Sequence, residues 1–446
     1  MSKNNSINLK DRDSFSHSWS FILSCVGSAV GMGNIWLFPY RVGQFGGFAF
    51  LLPYIICVLL LGLTGTIGEM SFGRYMKSGP LGAFDKALKT RNKKGGWIIG
   101  LIPVIGSLAI AIGYSVVVAW ILKFTIGAIM GAFNTETFLA VEYFNEISGQ
   151  FGSLGWHIIV LISTFIIMNI GISSGIEKVN LILMPAFFVI FVILAIRVYF
   201  IPGSSIGYQF LFKPDWSALL NGQTWLYALG QSFFSLSLAG SGTVVYGSYL
   251  KDDENIVKSA KIISLFDTIA ATLAALVVLP SVFAFGLKPT SGPPLLFITM
   301  PEVFKMMPFG RIFAIFFFLA VLFAGITSLV NLFESSIEAL EDRFNFSRTK
   351  AVVFIAIIAF SVGIMIENVN ILSLWMDIVS IYIIPLGALL AAIMFFWVCG
   401  DKIAKKAINK GYNGKFTNLI VYMGKYLFCG LTIFVYIIGI ILGGIG

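Results

Sequence analysis

The chain has 446 residues, 58% of them hydrophobic and only 11% charged, with a formal net charge of +9. A soluble domain carries about 25% charged residues and a membrane helix uses about 20 apolar ones, so a soluble globular protein is excluded and at most about a dozen spans can be supplied. Transmembrane barrels are excluded too, because their strands alternate over about 10 residues, whereas the apolar runs here are continuous and about twice that long.

Residues 1–17 are polar, lack the apolar core of a cleaved signal peptide, and read as a cytoplasmic amino-terminal segment. Apolar runs bounded by polar clusters then predict eleven helices, over residues 18–40, 48–72, 98–131, 154–173, 178–200, 224–249, 258–286, 310–342, 347–366, 372–399 and 417–442. They divide into five helices over 18–200, an extracellular loop over 201–223, five more helices over 224–400, a cytoplasmic loop over 401–416, and a last helix within 417–446 that ends outside. With the amino terminus inside, 22 of the 30 basic residues fall in inner segments, among them the seven from Arg74 to Lys94. The loop holding Glu136, Glu142 and Glu146 carries no base and faces out. This asymmetry is the inside-positive bias of a multi-pass protein of the inner cell membrane, so the excess charge does not point to nucleic acid. Cys25, Cys57, Cys399 and Cys429 lie in apolar runs without paired spacing, and His17 and His157 are the only histidines. Neither a disulfide framework nor a haem or metal-dependent membrane enzyme follows from them.

Two of the helices read as broken. In the first, Gly27, Gly31, Gly33 and Asn34 fall at mid-membrane depth, with Pro39 beyond; in the sixth, the run from Ser235 to Gly242 contains Gly240 and three serines. Small residues alone allow close helix packing. Two interruptions five spans apart, however, put two five-helix repeats in opposite orientation, the arrangement in which paired breaks form a binding site. Unwound backbone survives at that depth only where ions, substrate or buried polar side chains satisfy it.

The motifs GSAVGMGNIWLFPY at Gly27 to Tyr40, GGFAFLLPY at Gly46 to Tyr54, GEMSFGRY at Gly68 to Tyr75, GQSFFSLS at Gly230 to Ser237 and FAGITS at Phe323 to Ser328 resemble the neurotransmitter:sodium symporter family, in its bacterial eleven-helix branch of amino-acid transporters. The resemblance spans about residues 10 to 400. It implies an all-α integral membrane fold in which helices 1–5 and 6–10 are inverted repeats with broken helices 1 and 6, plus helix 11.

By similarity to the family, one sodium site uses the carbonyl of Ala29, the side chain of Asn34, the carbonyl and hydroxyl of Ser235, and Asp267. A second uses the carbonyls of Gly27, Val30 and Ala324 with the hydroxyls of Thr327 and Ser328; on their own, these hydroxyls read more readily as bonding back to their helix, and their place within FAGITS reverses that preference. An acid in the apolar run around Asp267 costs about 2.5 to 3.5 kcal/mol on insertion scales unless partnered, whether by an ion or in a structural ion pair. Many family members carry Asn here and need chloride; Asp267 builds the negative charge in, so transport is expected to be chloride-independent. The substrate carboxylate is expected at the amides of Met32 and Gly33, where a helix start favours an anion, with the Tyr114 hydroxyl; Tyr114 alone reads equally as a core tyrosine. The amine falls to the carbonyls of Ala29, Phe234 and Ser235 and to Ser237. Side-chain selectivity is assigned to Ile110, Val117, Phe234, Gly240, Ser328 and Leu332. A bacterial leucine transporter of the family has a bulky aromatic at the position of Gly240, so the glycine is expected to vacate ring-sized space for aromatic and hydrophobic L-amino acids.

Arg12 and Asp342 match the family's cytoplasmic closing pair, with Phe15 and Tyr249 beside it. At the outer mouth the usual Arg is Leu37, Asp377 remains, and Arg41 is the expected substitute. Gly175 and Pro185 match a spacing at which helix five of the family unwinds; a packing proline is the alternative. The whole reading is a monomer-sufficient sodium symporter of L-amino acids in the lipid bilayer. Its rivals are a proton-coupled or exchange-type permease and an amino-acid sensor of the same fold.

Overall fold

The computed structural model describes residues 14–289, 292–412 and 414–444, and every regular element among them is helical. In chain order the main helices are α1a (Ser18–Ala29) and α1b (Gly33–Gln44), α2 (Gly47–Met76), α3 (Gly96–Met130), α4 (Leu154–Asn169), α5 (Ile172–Tyr199), α6a (Gly222–Ser235) and α6b (Gly242–Ser248), α7 (Ile256–Ala284), α8 (Gly310–Phe344), α9 (Arg348–Met365), α10 (Val369–Val398) and α11 (Thr417–Leu442). Eight of these are long and apolar enough to cross a membrane, or nine if the pair α1a–α1b, bent by 58°, is one span. The expected fourth span is the shorter helix α4, and the expected sixth is split by residues 236–241, so neither enters that count. The segment expected as a loop over 401–416 begins as the helix Gly400–Asn409, which carries Lys402, Lys405 and Lys406. An apolar-run search passes over such a helix because half its surface is charged.

The longest helices, α3 and α8, have 35 residues each and pack along one another. At about 1.5 Å per residue each exceeds the roughly 30 Å hydrocarbon thickness, so they tilt or project beyond it. Gly325 makes their approach possible, since a Cβ there would lie 2.9 Å from a Val118 methyl. Left-handed Gly95 (φ 88°) and Gly131 (φ 81°) end α3 at both sides, a backbone geometry that glycine adopts without strain.

Both broken helices sit inside this frame. α1a packs on α5 and α8, α1b on α7, α6a on α2, and α6b on α2 and α8. The first break starts at Val30, where the backbone becomes extended (φ −75°, ψ 105°); the second contains two left-handed residues, Ser237 (φ 52°) and Gly240 (φ 69°). Glu69, buried on α2, accepts the Gly240 amide at 2.8 Å and so satisfies part of the second break. α2 and α6b approach at the level of their backbones, for a Cβ on Gly73 would collide with the Val244 carbonyl and one on Gly247 with that of Met70. Overpacking costs about 1–3 kcal/mol even where side chains can yield, and a carbonyl cannot. Gly73→Leu is therefore expected to lower the thermal unfolding temperature of the detergent-solubilised protein by several degrees; an unchanged melting curve contradicts the contact.

Candidate functional site

Three helices converge on Asp267 of α7, which is 0% exposed. Its carboxylate accepts hydrogen bonds from Asn34 Nδ2 (2.8 Å), Ser235 Oγ (2.8 Å) and Tyr54 Oη (2.9 Å). Asn34 also donates to Ser235 Oγ at 3.1 Å, while its Oδ1 accepts the Gly31 amide at 3.1 Å. No ion pair among the described residues involves Asp267. A buried carboxylate surrounded by neutral donors alone lacks the opposite charge that burial demands. The Ala29 carbonyl, at the end of α1a, receives no backbone amide among the described residues. The side-chain oxygens of Asn34, Ser235 and Asp267 meet at this junction, a chemistry suited to a hard cation.

A second junction joins α1a to α8. Ser328 Oγ donates to the carbonyls of Gly27 (3.1 Å) and Val30 (3.3 Å). Thr327 Oγ1 bonds back to Phe323 (3.0 Å) and Ala324 (3.1 Å) in its own helix, the alternative its sequence left open. Both hydroxyls retain lone pairs, so turning their hydrogens offers hydroxyl and carbonyl oxygens to one cation.

Between the two breaks lies a cavity of about 80 Å³, lined by ten of the expected substrate residues: Ala29, Met32, Gly33, Ile110, Tyr114, Phe234, Ser235, Ser237, Ser328 and Leu332. Tyr114 Oη accepts the Met32 amide at 3.1 Å, and Ser237 Oγ donates to the Ser28 carbonyl at 2.8 Å, linking one break to the other. Gly31 and Gly33 bring the backbone close, since Cβ atoms there would lie 2.8 Å from Tyr114 Oη and 2.7 Å from the Phe234 ring. Val117 lines a second, separate cavity of about 370 Å³ that adjoins the first at Met32, Tyr114 and Phe234.

Gly240 lines neither cavity. Its left-handed backbone turns its Cα toward α10, where a Cβ would strike the Gly387 carbonyl. The missing side chain makes room for a helix and not for a ligand, which corrects the expectation of vacated ring space. Ser28, Ser241 and Asn331 add polar groups to a cavity lining that is otherwise largely apolar, the last two 1% and 2% exposed.

The ends of the bundle differ. Arg41 and Asp377 line the second cavity without forming an ion pair. Arg41 stacks over Tyr227, its guanidinium 3.9 Å from the ring centroid, and donates to Gln44 at 3.1 Å; the expected outer pair is therefore not made. At the opposite end, buried Glu334 accepts Tyr249 Oη at 2.8 Å and both terminal nitrogens of Arg348 at 2.8 and 2.7 Å. Asp342 accepts from Ser78 Oγ at 2.8 Å, Phe15 packs edge-on against Phe21 and Tyr246, and Arg12 lies outside the described residues. Sequence reasoning missed Glu334 and Arg348. It also missed Tyr54, as well as Gln231, which donates to the Gly33 carbonyl at 2.9 Å. Tyr54 and Gln231 were visible as polar groups within apolar motifs, without any sign of what they face.

The profile of the sodium:neurotransmitter symporter family matches residues 12–137 and 128–442. The chain is similar to an uncharacterized sodium-dependent transporter of Methanocaldococcus jannaschii, with 34% identity over 90% of this chain and 85% of the relative. It is also similar to the uncharacterized sodium-dependent transporter YhdH of Bacillus subtilis, with 35% identity over 70% and 69%. Its fold matches the crystal structure of MhsT in complex with L-phenylalanine, with a TM-score of 0.86, 31% identity, and coverage of 96% of this chain and 99% of that one.

Removing one donor from the Asp267 cage tests the first junction. A hydrogen bond to a charged group contributes about 1.5–3 kcal/mol, and Tyr54 makes it without sodium, so Tyr54→Phe is expected to lower the unfolding temperature in choline chloride and, by deepening the deficit on Asp267, to lower the sodium chloride concentration giving half-maximal sodium-specific thermal stabilisation. Choline chloride serves as the ionic-strength control, and an unmoved midpoint counts against the arrangement.

Proposed function

Because this chain belongs to the sodium:neurotransmitter symporter family and has the fold of a membrane transporter rather than an enzyme, we propose that it drives hydrophobic and aromatic L-amino acids across the inner cell membrane by sodium symport, without chloride. The amino terminus is cytoplasmic and the carboxyl terminus outside, in keeping with the basic inner segments.

The observation that carries this reading is the buried Asp267 carboxylate at the point where α1b, α6a, α2 and α7 meet, supported only by neutral donors. Sodium bound there with Asn34, Ser235 and Ala29 lies beside the cavity that holds the substrate. The amino-acid carboxylate, at Met32, Gly33 and Tyr114, completes the cation's shell, so each ligand raises the other's affinity by the same factor. A carboxylate already fixed at the ion performs the charge balance that an asparagine would leave to chloride. The second sodium bridges α1a and α8 through Gly27, Val30, Ala324, Thr327 and Ser328. All these groups come from one chain, so a monomer is sufficient.

The substrate side chain rests among Ile110, Leu332, Phe233, Met376 and Ile384, an apolar wall. Such walls separate ligands differing by a methylene by only about 1–3 kcal/mol, so several amino acids compete. Ser241 and Asn331 in the same lining favour a side chain ending in a hydrogen-bonding group, which ranks tyrosine first. Support for the aromatic class comes from MhsT, whose structure contains L-phenylalanine.

Reconstitution in liposomes with an inward sodium gradient tests each part. Uptake of labelled tyrosine or tryptophan is expected to exceed that of leucine, and far to exceed alanine and glycine, with or without chloride. Uptake that follows a proton gradient in sodium-free medium replaces the reading with proton coupling. Asp267→Asn is expected to make uptake chloride-dependent or to weaken its response to sodium.

A further inference from the structure

Asn180 of α5 is 0% exposed, and its Oδ1 has no hydrogen-bond partner. The amide is not free to turn, because Nδ2 donates to the Ile176 carbonyl one turn back at 2.8 Å. That bond fixes the opposite edge of the amide toward α1a. Gly27 faces it: a Cβ on Gly27 would collide with Asn180 Oδ1 and lie 2.9 Å from Thr327 Cβ. The unpartnered oxygen is thus held where α1a, α5 and α8 meet, at two residues of the second cation junction. Leaving a buried carbonyl oxygen dry costs about 1–3 kcal/mol, and a leucine of similar volume would avoid that penalty.

We propose that Asn180 Oδ1 is a cation-binding oxygen contributed by α5 to the site formed by the carbonyls of Gly27 and Val30 and the side chains of Thr327 and Ser328. This rests on the sodium-symporter reading above and adds a third helix to the site. Amide oxygens bind hard cations in the same manner as peptide carbonyls. A neutral one adds coordination without altering the net charge, so Asp267 remains the only carboxylate in the two junctions. The glycine at position 27 is required on this account, since any side chain there displaces the oxygen from α1a. Occupation of the site then binds α5 to α1a and α8. The segment of α5 from Gly175 to Pro185, which begins in the π turn Ile172–Ile176, is held from its midpoint by the ion.

Sodium-specific thermal stabilisation of the purified full-length protein tests this without any substrate, with choline chloride as the control. In wild type, the sodium midpoint is measured first; a wild-type protein indifferent to sodium defeats the symporter reading itself. Given a sodium effect, Asn180→Leu is expected to move the midpoint up by roughly tenfold, equivalent to about 1.4 kcal/mol, while leaving unfolding in choline unchanged or slightly raised. Asn180→Asp, which keeps an oxygen in place, is expected to hold the midpoint within a few-fold of wild type or lower it, and it serves alone if the leucine variant does not fold. A packing role shifts unfolding equally in sodium and choline. Midpoints of Asn180→Leu equal to wild type, or of Asn180→Asp as poor as the leucine variant, overturn the proposal.

Discussion

Backbone amides and carbonyls cannot be left unpaired in a hydrocarbon layer, and both interruptions obey this by borrowing partners from other helices. Tyr114 of α3 accepts from Met32, Ser328 of α8 donates to Gly27 and Val30, Glu69 of α2 accepts from Gly240, and Ser237 reaches across to Ser28. A continuous helix satisfies itself. An interrupted one is satisfied only while its neighbours keep their places, so the same bonds that make the breaks tolerable make them sensitive to helix position.

The electrostatics of the first junction follow from that arrangement. Each neutral donor on Asp267 offsets part of its desolvation, yet a typical hydrogen bond contributes net only about 0.5–1.5 kcal/mol, or somewhat more to a charged acceptor. An ion-sized charge in low dielectric costs several kcal/mol even after relaxation. Three donors leave a deficit that a cation can fill, and filling it draws α1b, α6a, α2 and α7 together, because each contributes one of the groups concerned. On the proposed function, substrate and ion are coupled through shared oxygens rather than through a distant pathway.

The legible part of this structure was local. Long apolar runs gave most of the helices, glycine clusters gave both breaks, and an acid within an apolar run marked Asp267. Directions in space were less accessible. Gly240 was identifiable as a missing side chain, but only its left-handed turn reveals that the gap faces Gly387. Tyr54 and Asp267 are 213 residues apart, and Gln231 and Gly33 198; no spacing along the chain encodes such contacts. Arg348 sits at the start of a helix, where it reads as one more inner positive charge, and its bidentate pairing with Glu334 appears only once α8 and α9 are packed.

The inequality of the two ends sets what ligands must supply. At one end Arg41 and Asp377 stand apart around a cavity of about 370 Å³. At the other, Glu334 is closed on Arg348 and Tyr249. Separating a buried ion pair costs on the order of 3–5 kcal/mol when one partner is left uncompensated. Reversing a two-state preference from 1:99 to 99:1 requires about 5.5 kcal/mol of differential binding, a quantity of the same size. An amino acid and two cations that bind both states equally shift nothing, however tightly they bind. Switching therefore requires ligands whose contacts differ between states, and the groups that join separate helices are where such contacts can lie: Asp267 with α1b and α6a, and Ser328 of α8 with Gly27 and Val30. An apolar wall that met a ligand alike in both states would add affinity without shifting the balance, which leaves the oxygens at the breaks as the groups through which binding can shift it.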